Sequence, residues 1–117
     1  MGEAMSVTIY HNPRCSKSRE TLALIESKGV TPQVIEYLKS PPAASELKDI
    51  LRKLGLKPRD ILRTGEPSCR EFDIDALDDA ALIELMVANP ILIERPIVVH
   101  GEKAALGRPP ANVLKIL

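Results

Sequence analysis

A chain of 117 residues with 44% hydrophobic and 27% charged residues has the size and composition of one compact globular domain. Its 16 basic and 16 acidic residues cancel, which argues against non-specific binding to nucleic acid or to an anionic membrane, because those partners require a net positive surface. Any anion that the chain binds must therefore be met by locally gathered arginines.

The lengths of the apolar runs and the number of cysteines exclude further classes of protein. No run approaches the ~20 apolar residues that span a bilayer, and residues 1–6 lack the pattern of a signal peptide, so we expect a cytoplasmic protein. Cys15 and Cys69 are expected to be free thiols in a reducing compartment. Two histidines and no CxxC motif offer no convincing zinc site. We expect one monomeric domain over residues 1–117, with no bound cofactor or metal.

The first third of the chain predicts a strand, a helix and a second strand. Residues 7–10 are rich in β-formers and run into an Asn-Pro turn. Ser16 or Ser18 can cap the following helix, which ends near Gly29. Residues 33–37 predict the second strand. This order forms a βαβ unit, so the two strands are expected to be parallel.

The middle third is predicted to be helical. Residues 43–55 place apolar side chains at i, i+3, i+4 and i+7, which indicates an amphipathic helix closed by Gly55. Residues 57–63 predict a short helical or turn segment, and residues 64–76 an irregular connection. A further helix is expected over residues 78–89, beginning at an aspartate pair and ending before a proline.

The last third returns to β character. Residues 96–100 and 103–106 predict a hairpin around Gly101 and Glu102. Two prolines at 109 and 110 then open a final helix. The core-facing residues of this helix are expected to be Val113, Leu114 and Leu117. The whole order is that of an α/β, thioredoxin-like domain: a mixed four-stranded sheet, flanking helices, and a helical insert between the second and third strands.

Cys15 is the candidate nucleophile. It lies where the first strand turns into the first helix, and the unpaired N–H groups and positive dipole of a helix N-terminus favour a thiolate. The basic neighbours Arg14, Lys17 and Arg19 act in the same direction. A buried structural cysteine is the alternative, but this setting favours a reactive thiolate.

A helix N-terminus beside arginines is also an anion site, because N–H donors and guanidinium groups both match oxyanions. Arg19 lies four positions after Cys15, on the same helical face. The other candidate arginines are Arg63, Arg95 and Arg108. In a thioredoxin-like domain, Pro96, after Arg95, is expected to be cis and to face the loop that leads into Cys15, called the cysteine loop below. Each arginine taken alone could be a solvated surface residue, so an anion site requires them to converge.

Several separated segments of the chain form a recognisable series: Ile9-Tyr10-His11-Asn12-Pro13, Cys15, Ser18-Arg19, Tyr37-Leu38, Pro41-Pro42, Leu62-Arg63, Glu66-Pro67, residues 89–93, Arg95-Pro96-Ile97-Val98-Val99 and Arg108-Pro109. In this order, they resemble the glutaredoxin-linked arsenate reductase family over residues 7–117.

This resemblance implies a thioredoxin-like reductase in which Cys15 attacks arsenate and forms a thiol-arsenate adduct. It implies that Arg63, Arg95 and Arg108 bind the oxyanion, and that glutathione with glutaredoxin supplies the reducing thiols. Fixed arginines suit this chemistry, because an anionic sulfur must attack a dianion.

The resemblance also suggests four supporting residues, namely His11, Ser18, Arg19 and Pro96. His11 would tune Cys15, or would alternatively cap the backbone as a turn histidine. Ser16-Lys17 stand where well-characterised members have Gly-Thr, and Arg14 replaces a small residue; these differences match an arsenate-reductase-like branch of the family. Cys69 has no counterpart in the motif and is interpreted as a bystander thiol.

Two alternatives remain open at this point. A glutathione-dependent thiol reductase on the same scaffold would act on a disulfide or a glutathionylated substrate. A regulator similar to Spx-type transcription factors would bind RNA polymerase. Many of those regulators carry a Cys-x-x-Cys switch, whereas Ser18 occupies that spacing after Cys15, which disfavours the regulator.

Overall fold

The computed structural model describes residues 6–117. We also predicted that residues 1–6 form no signal peptide, and all of these residues except Ser6 lie outside the described range. The chain divides into two compact units, of which the first comprises residues up to Ser40 together with Arg95–Leu117 and the second comprises Pro41–Glu94. No helix within residues 6–117 is both long enough and apolar enough to cross a membrane.

A mixed sheet organises the first unit. Its strands are β1 (Val7–His11), β2 (Gln33–Glu36), β3 (Ile97–His100) and β4 (Lys103–Leu106), in the order β2-β1-β3-β4. The central strand β1 pairs parallel with β2 and antiparallel with β3, and β3 pairs antiparallel with β4. The predicted mixed four-stranded sheet is therefore confirmed, including the parallel βαβ unit and the hairpin.

Helix α1 (Ser16–Ser27) connects β1 to β2, and it ends before Gly29, whose φ is +77°. A positive φ is strained for residues with a side chain, which is why a glycine follows this helix. One hydrophobic cluster in the core of this unit consists of five buried side chains from α1, the two central strands and the C-terminal segment: Val7, Ile9, Ile25, Val98 and Val113. Burying each of them stabilises the fold by roughly 1.5–3 kcal/mol.

The final helix differs from its prediction in helix type and in the side chains that it buries. It is a 3₁₀-helix over Pro110–Lys115, and Leu114 is 42% exposed although it was expected to face the core. A 3₁₀-helix has three residues per turn, so Val113 and Ile116 fall on the core side and Leu114 is rotated away from it.

The second unit contains the predicted helical insert. Its two α-helices are α2 (Ala44–Leu54) and α3 (Asp79–Ala88). Gly55 ends α2 in the left-handed conformation, and Asp78 caps α3 by accepting the Ala81 N–H at 2.9 Å. The remaining helical segments of this unit are the 3₁₀-helices Pro58–Ile61, Pro67–Glu71, Ile74–Ala76 and Pro90–Leu92. The segment predicted to be irregular thus consists largely of two short 3₁₀ turns.

Candidate active site

The strand pairing brings three chain segments to one edge of the sheet. Tyr10 pairs with Ile97, and Ile97 pairs with Leu106. The carboxyl ends of β1 and β4 therefore meet the amino end of β3 at this edge. Cys15 follows β1, Arg95 precedes β3 and Arg108 follows β4, so the fold gathers these three residues from distant parts of the sequence.

The loop between β1 and Cys15 is held by its own hydrogen bonds. The Asn12 side-chain oxygen accepts the Arg14 N–H at 3.0 Å, and the Asn12 carbonyl oxygen accepts the Cys15 N–H at 3.0 Å. The Arg19 guanidinium donates to the Pro13 carbonyl oxygen at 2.9 Å. Arg19 thus braces the cysteine loop.

Cys15 itself is the N-cap residue of α1, a position that the sequence had suggested for Ser16 or Ser18. Burial of the half-exposed thiol raises its pKa, but the opposing effects are larger, so the pKa lies below its ordinary value. Those effects are the backbone N–H groups of Ser18 and Lys17 together with the charge and hydrogen bond of the Arg95 guanidinium. The site therefore favours the thiolate more than an ordinary cysteine environment does.

His11 and Ser18 lie directly behind the loop. Both are buried, and His11 Nδ1 is 2.6 Å from Ser18 Oγ, which also accepts the Asn12 N–H at 3.0 Å. Burial lowers the pKa of His11, Glu36 opposes this shift and Arg19 adds to it, so the site favours the neutral imidazole. This arrangement fixes Ser18, whose backbone N–H stabilises the Cys15 thiolate.

Two arginine-proline pairs form the other side of the site. The Arg95–Pro96 and Arg108–Pro109 peptide bonds are both cis, which confirms that Pro96 is cis as predicted. Arg95 is half-buried beside Cys15, whereas Arg108 is exposed and its Nη1 donates to the Arg95 carbonyl oxygen at 3.4 Å. Two guanidinium groups at one sheet edge beside a thiolate can bind a tetrahedral oxyanion.

Arg63, the third predicted arginine, belongs to the second unit. Its Nη1 donates to the Ile91 carbonyl oxygen at 3.0 Å, and its Nη2 lies 3.3 Å from Glu66 Oε2. Both side chains of this ion pair are largely shielded from solvent. The surrounding residues of its own unit thus hold the Arg63 side chain in one orientation.

The sequence did not indicate two further residues, Thr21 and Gly107, that fix the position of Arg108. The Thr21 hydroxyl lies 2.7 Å from the Lys17 carbonyl oxygen and 3.3 Å from that of Gly107. The Gly107 N–H donates to the Pro96 carbonyl oxygen at 3.0 Å. A Cβ at Gly107 would lie 2.7 Å from Pro96 Cγ and would also collide with the Thr21 side chain. Only glycine therefore fits between α1 and the proline that precedes β3.

Substitution of Gly107 with alanine is expected to lower the free energy of unfolding by about 1–3 kcal/mol, because the added methyl group overpacks this contact. Urea denaturation measures the change. Gly65→Ala is the matched control, since a Cβ there meets nothing within 4 Å, and its effect should stay within about 0.5 kcal/mol. Equal effects of the two substitutions would contradict the close packing at Gly107.

The likeness to known proteins extends over almost the whole chain. A model of the ArsC family matches residues 10–116. The uncharacterized protein YfgD of Escherichia coli K12 is 50% identical over 114 residues, which cover 95% of this chain and 96% of that relative. An arsenate reductase of Haemophilus influenzae is 48% identical over 116 residues, which cover 97% of this chain and all of the relative.

A solved structure is also very similar to the fold of this chain. Arsenate reductase from Vibrio cholerae superimposes with a TM-score of 0.94 at 52% identity, covering 98% of this chain and 100% of that one. The thioredoxin-like α/β fold predicted from the sequence is therefore confirmed.

Proposed function

The chain belongs to the ArsC family, and from this membership we propose that it reduces arsenate to arsenite with Cys15 as the nucleophile. The observation that carries the proposal is the position of Cys15 at the N-terminus of α1 beside Arg95, where the thiol pKa is lowered. The same two groups that stabilise a thiolate also suit an oxyanion, so nucleophile and substrate can share them.

The first step is an exchange at arsenic. The Cys15 thiolate attacks arsenic(V), an arsenic–sulfur bond forms, and one arsenate oxygen leaves as water after protonation. Arsenic remains in the +5 state, and the product is a thiol-arsenate adduct. Arg95 and Arg108 offset the repulsion between the anionic sulfur and the anionic substrate, and they stabilise the charge on the equatorial oxygens.

The second step requires another thiol, because the reduction of arsenic(V) to arsenic(III) takes two electrons, which two thiols supply when they form a disulfide. The incoming thiolate attacks Cys15 Sγ, a disulfide forms, and the arsenic–sulfur bond breaks with its electron pair on arsenic. Protonated arsenite leaves, with arsenic in the +3 state. Cys69, the other cysteine of the sequence, is only 3% exposed, which supports an external donor. Glutathione is the proposed donor, and glutaredoxin would then reduce the mixed disulfide of Cys15.

The resemblance assigns Arg63 to oxyanion binding as well, and its place in the proposal rests on that sequence match. His11 and Ser18 are proposed to support Cys15 through the hydrogen bonds behind the loop. We also propose that the protein is cytoplasmic, since the reaction consumes reduced glutathione and so requires a reducing compartment. The proposal takes the protein to be a monomer.

A coupled assay tests the proposal. Purified protein with glutathione, glutaredoxin, glutathione reductase and NADPH should oxidise NADPH only when arsenate is added, and arsenic speciation by chromatography should recover one arsenite per NADPH. Phosphate in place of arsenate is the control and should give no oxidation. Turnover of a glutathionylated substrate without any dependence on arsenate would instead indicate a general thiol reductase.

A further inference from the structure

A second feature of the cysteine loop is a cavity of about 300 Å³ on its β2 side. One wall comes from the loop before Cys15 and includes Asn12 and Arg14. The other wall comes from the end of β2 and the following turn and includes Glu36, Leu38 and Lys39. The volume is at the lower end of the range typical of small-molecule sites.

The sheet explains why this cavity adjoins the candidate nucleophile. His11 pairs with Glu36 in the parallel β1–β2 ladder, so the segments that follow these two strands leave the same edge of the sheet side by side. Arg95 and Arg108 reach that edge from β3 and β4, which lie on the other side of β1. The cysteine loop is thus flanked by guanidinium groups on one side and by the cavity on the other.

The lining of the cavity carries a defined set of charges. Arg14 is exposed, and it immediately precedes Cys15 in the chain. Lys39 Nζ lies 3.5 Å from Glu36 Oε1, with both side chains open to solvent. Leu38 is 40% exposed and adds an apolar surface. Two cations, one carboxylate and an apolar surface complement a small molecule that carries two carboxylates, one ammonium group and short aliphatic segments.

We propose that this cavity binds the peptide body of glutathione, the thiol donor of the second step. Arg14 and Lys39 pair with the two carboxylates, and Glu36 pairs with the ammonium group in place of its contact with Lys39. The inference rests on the proposed function for the identity of the donor. It adds a separate subsite, so that the oxyanion and the donor occupy opposite sides of the cysteine loop and do not compete for the same arginines.

The subsite also gives a function to Arg14. A cation at this position is not needed to hold the loop, because only the backbone N–H of Arg14 takes part in the hydrogen bond to Asn12. Arg14 lines the cavity and is exposed, so its positive charge is free to pair with an anionic donor.

Binding of S-methylglutathione tests the subsite without any reaction, because the methylated sulfur cannot attack. Titration followed by NMR should shift the amide signals of Arg14, Glu36 and Lys39. The double substitution Arg14→Ser and Lys39→Ser should weaken binding about tenfold or more and raise the KM for glutathione by a similar factor. The KM for arsenate should remain within about twofold.

The control variant also removes two positive charges, but at residues outside the cavity. Lys28→Ser combined with Lys115→Ser changes two exposed cations that do not line the cavity, and both binding and KM should stay at wild-type values. Shifts that map away from the cavity, an equal effect of the control, or equally tight binding of glutarate would overturn the subsite. Binding at the cavity without arsenate reduction would leave the subsite standing and would refute the proposed function alone.

Discussion

Replacement of Cys15 with serine is expected to lower arsenate reduction at least about 1000-fold, to the background of the coupled assay. A serine hydroxyl is not ionised near neutral pH, and the N–H groups and guanidinium that lower the pKa of the thiol cannot bring a hydroxyl into that range. The loss should appear in kcat, measured as NADPH oxidation and as arsenite released. Circular dichroism should show an unchanged fold, because the substitution nearly preserves volume at a half-exposed position.

Cys69→Ala is the matched control for this experiment. Cys69 is buried in the second unit, and removal of its sulfur should cost stability through a small cavity while most activity remains. Alanine is preferable to serine here because a buried hydroxyl would require a partner. Loss of turnover in a folded Cys69→Ala protein would show that Cys69 takes part in the reaction and would contradict its interpretation as a bystander.

Replacement of Arg95 with glutamine is expected to raise the pKa of Cys15 and to lower kcat/KM for arsenate about 100-fold. The guanidinium stabilises the thiolate by its charge and by a hydrogen bond, so its loss leaves burial, which raises the pKa, less opposed. Thiolate forms as the pH rises through the pKa. The rate of alkylation by iodoacetamide should therefore rise to its plateau at a higher pH in the variant, and alkylation at pH 7 should be slower.

Two comparisons separate charge from geometry at Arg95. Arg95→Lys keeps the cation and should retain most of the pKa shift, yet it should lose part of the arsenate affinity because an ammonium lacks the planar pair of donors. Lys28→Gln removes one charge at the far end of α1 and should alter neither quantity. An alkylation profile of Arg95→Gln that coincides with that of the wild type would show that Arg95 does not stabilise the thiolate.

Local patterns in the sequence determined most of the secondary structure. The apolar spacing between residues 43 and 55 together with Gly55 predicted α2, and the aspartates at 78 and 79 marked the start of α3. The β-rich segments before and after the insert predicted all four strands. These signals succeed because helix periodicity, capping and turn chemistry depend on residues that are close in the chain.

The same local patterns led to wrong predictions for two features that depend on packing. The sequence alone favoured a serine cap, whereas Cys15 occupies the N-cap and Ser18 Oγ contacts His11 and Asn12 instead. Leu114 was expected in the core, but its helix is 3₁₀. In both cases several local arrangements satisfy the same sequence pattern, and long-range contacts select one of them.

By itself, the sequence determined the position of a cysteine between a strand and a helix, the basic residues around it and its likeness to a reductase family. Only the tertiary structure decided that Arg95 and Arg108 come together at that cysteine's edge of the sheet, and that a cavity lies on the other side of the loop. It also revealed the contact between Thr21 and Gly107, which are 86 positions apart. The physical reason is that strand pairing across the sheet, rather than neighbourhood in the chain, sets which of these side chains meet.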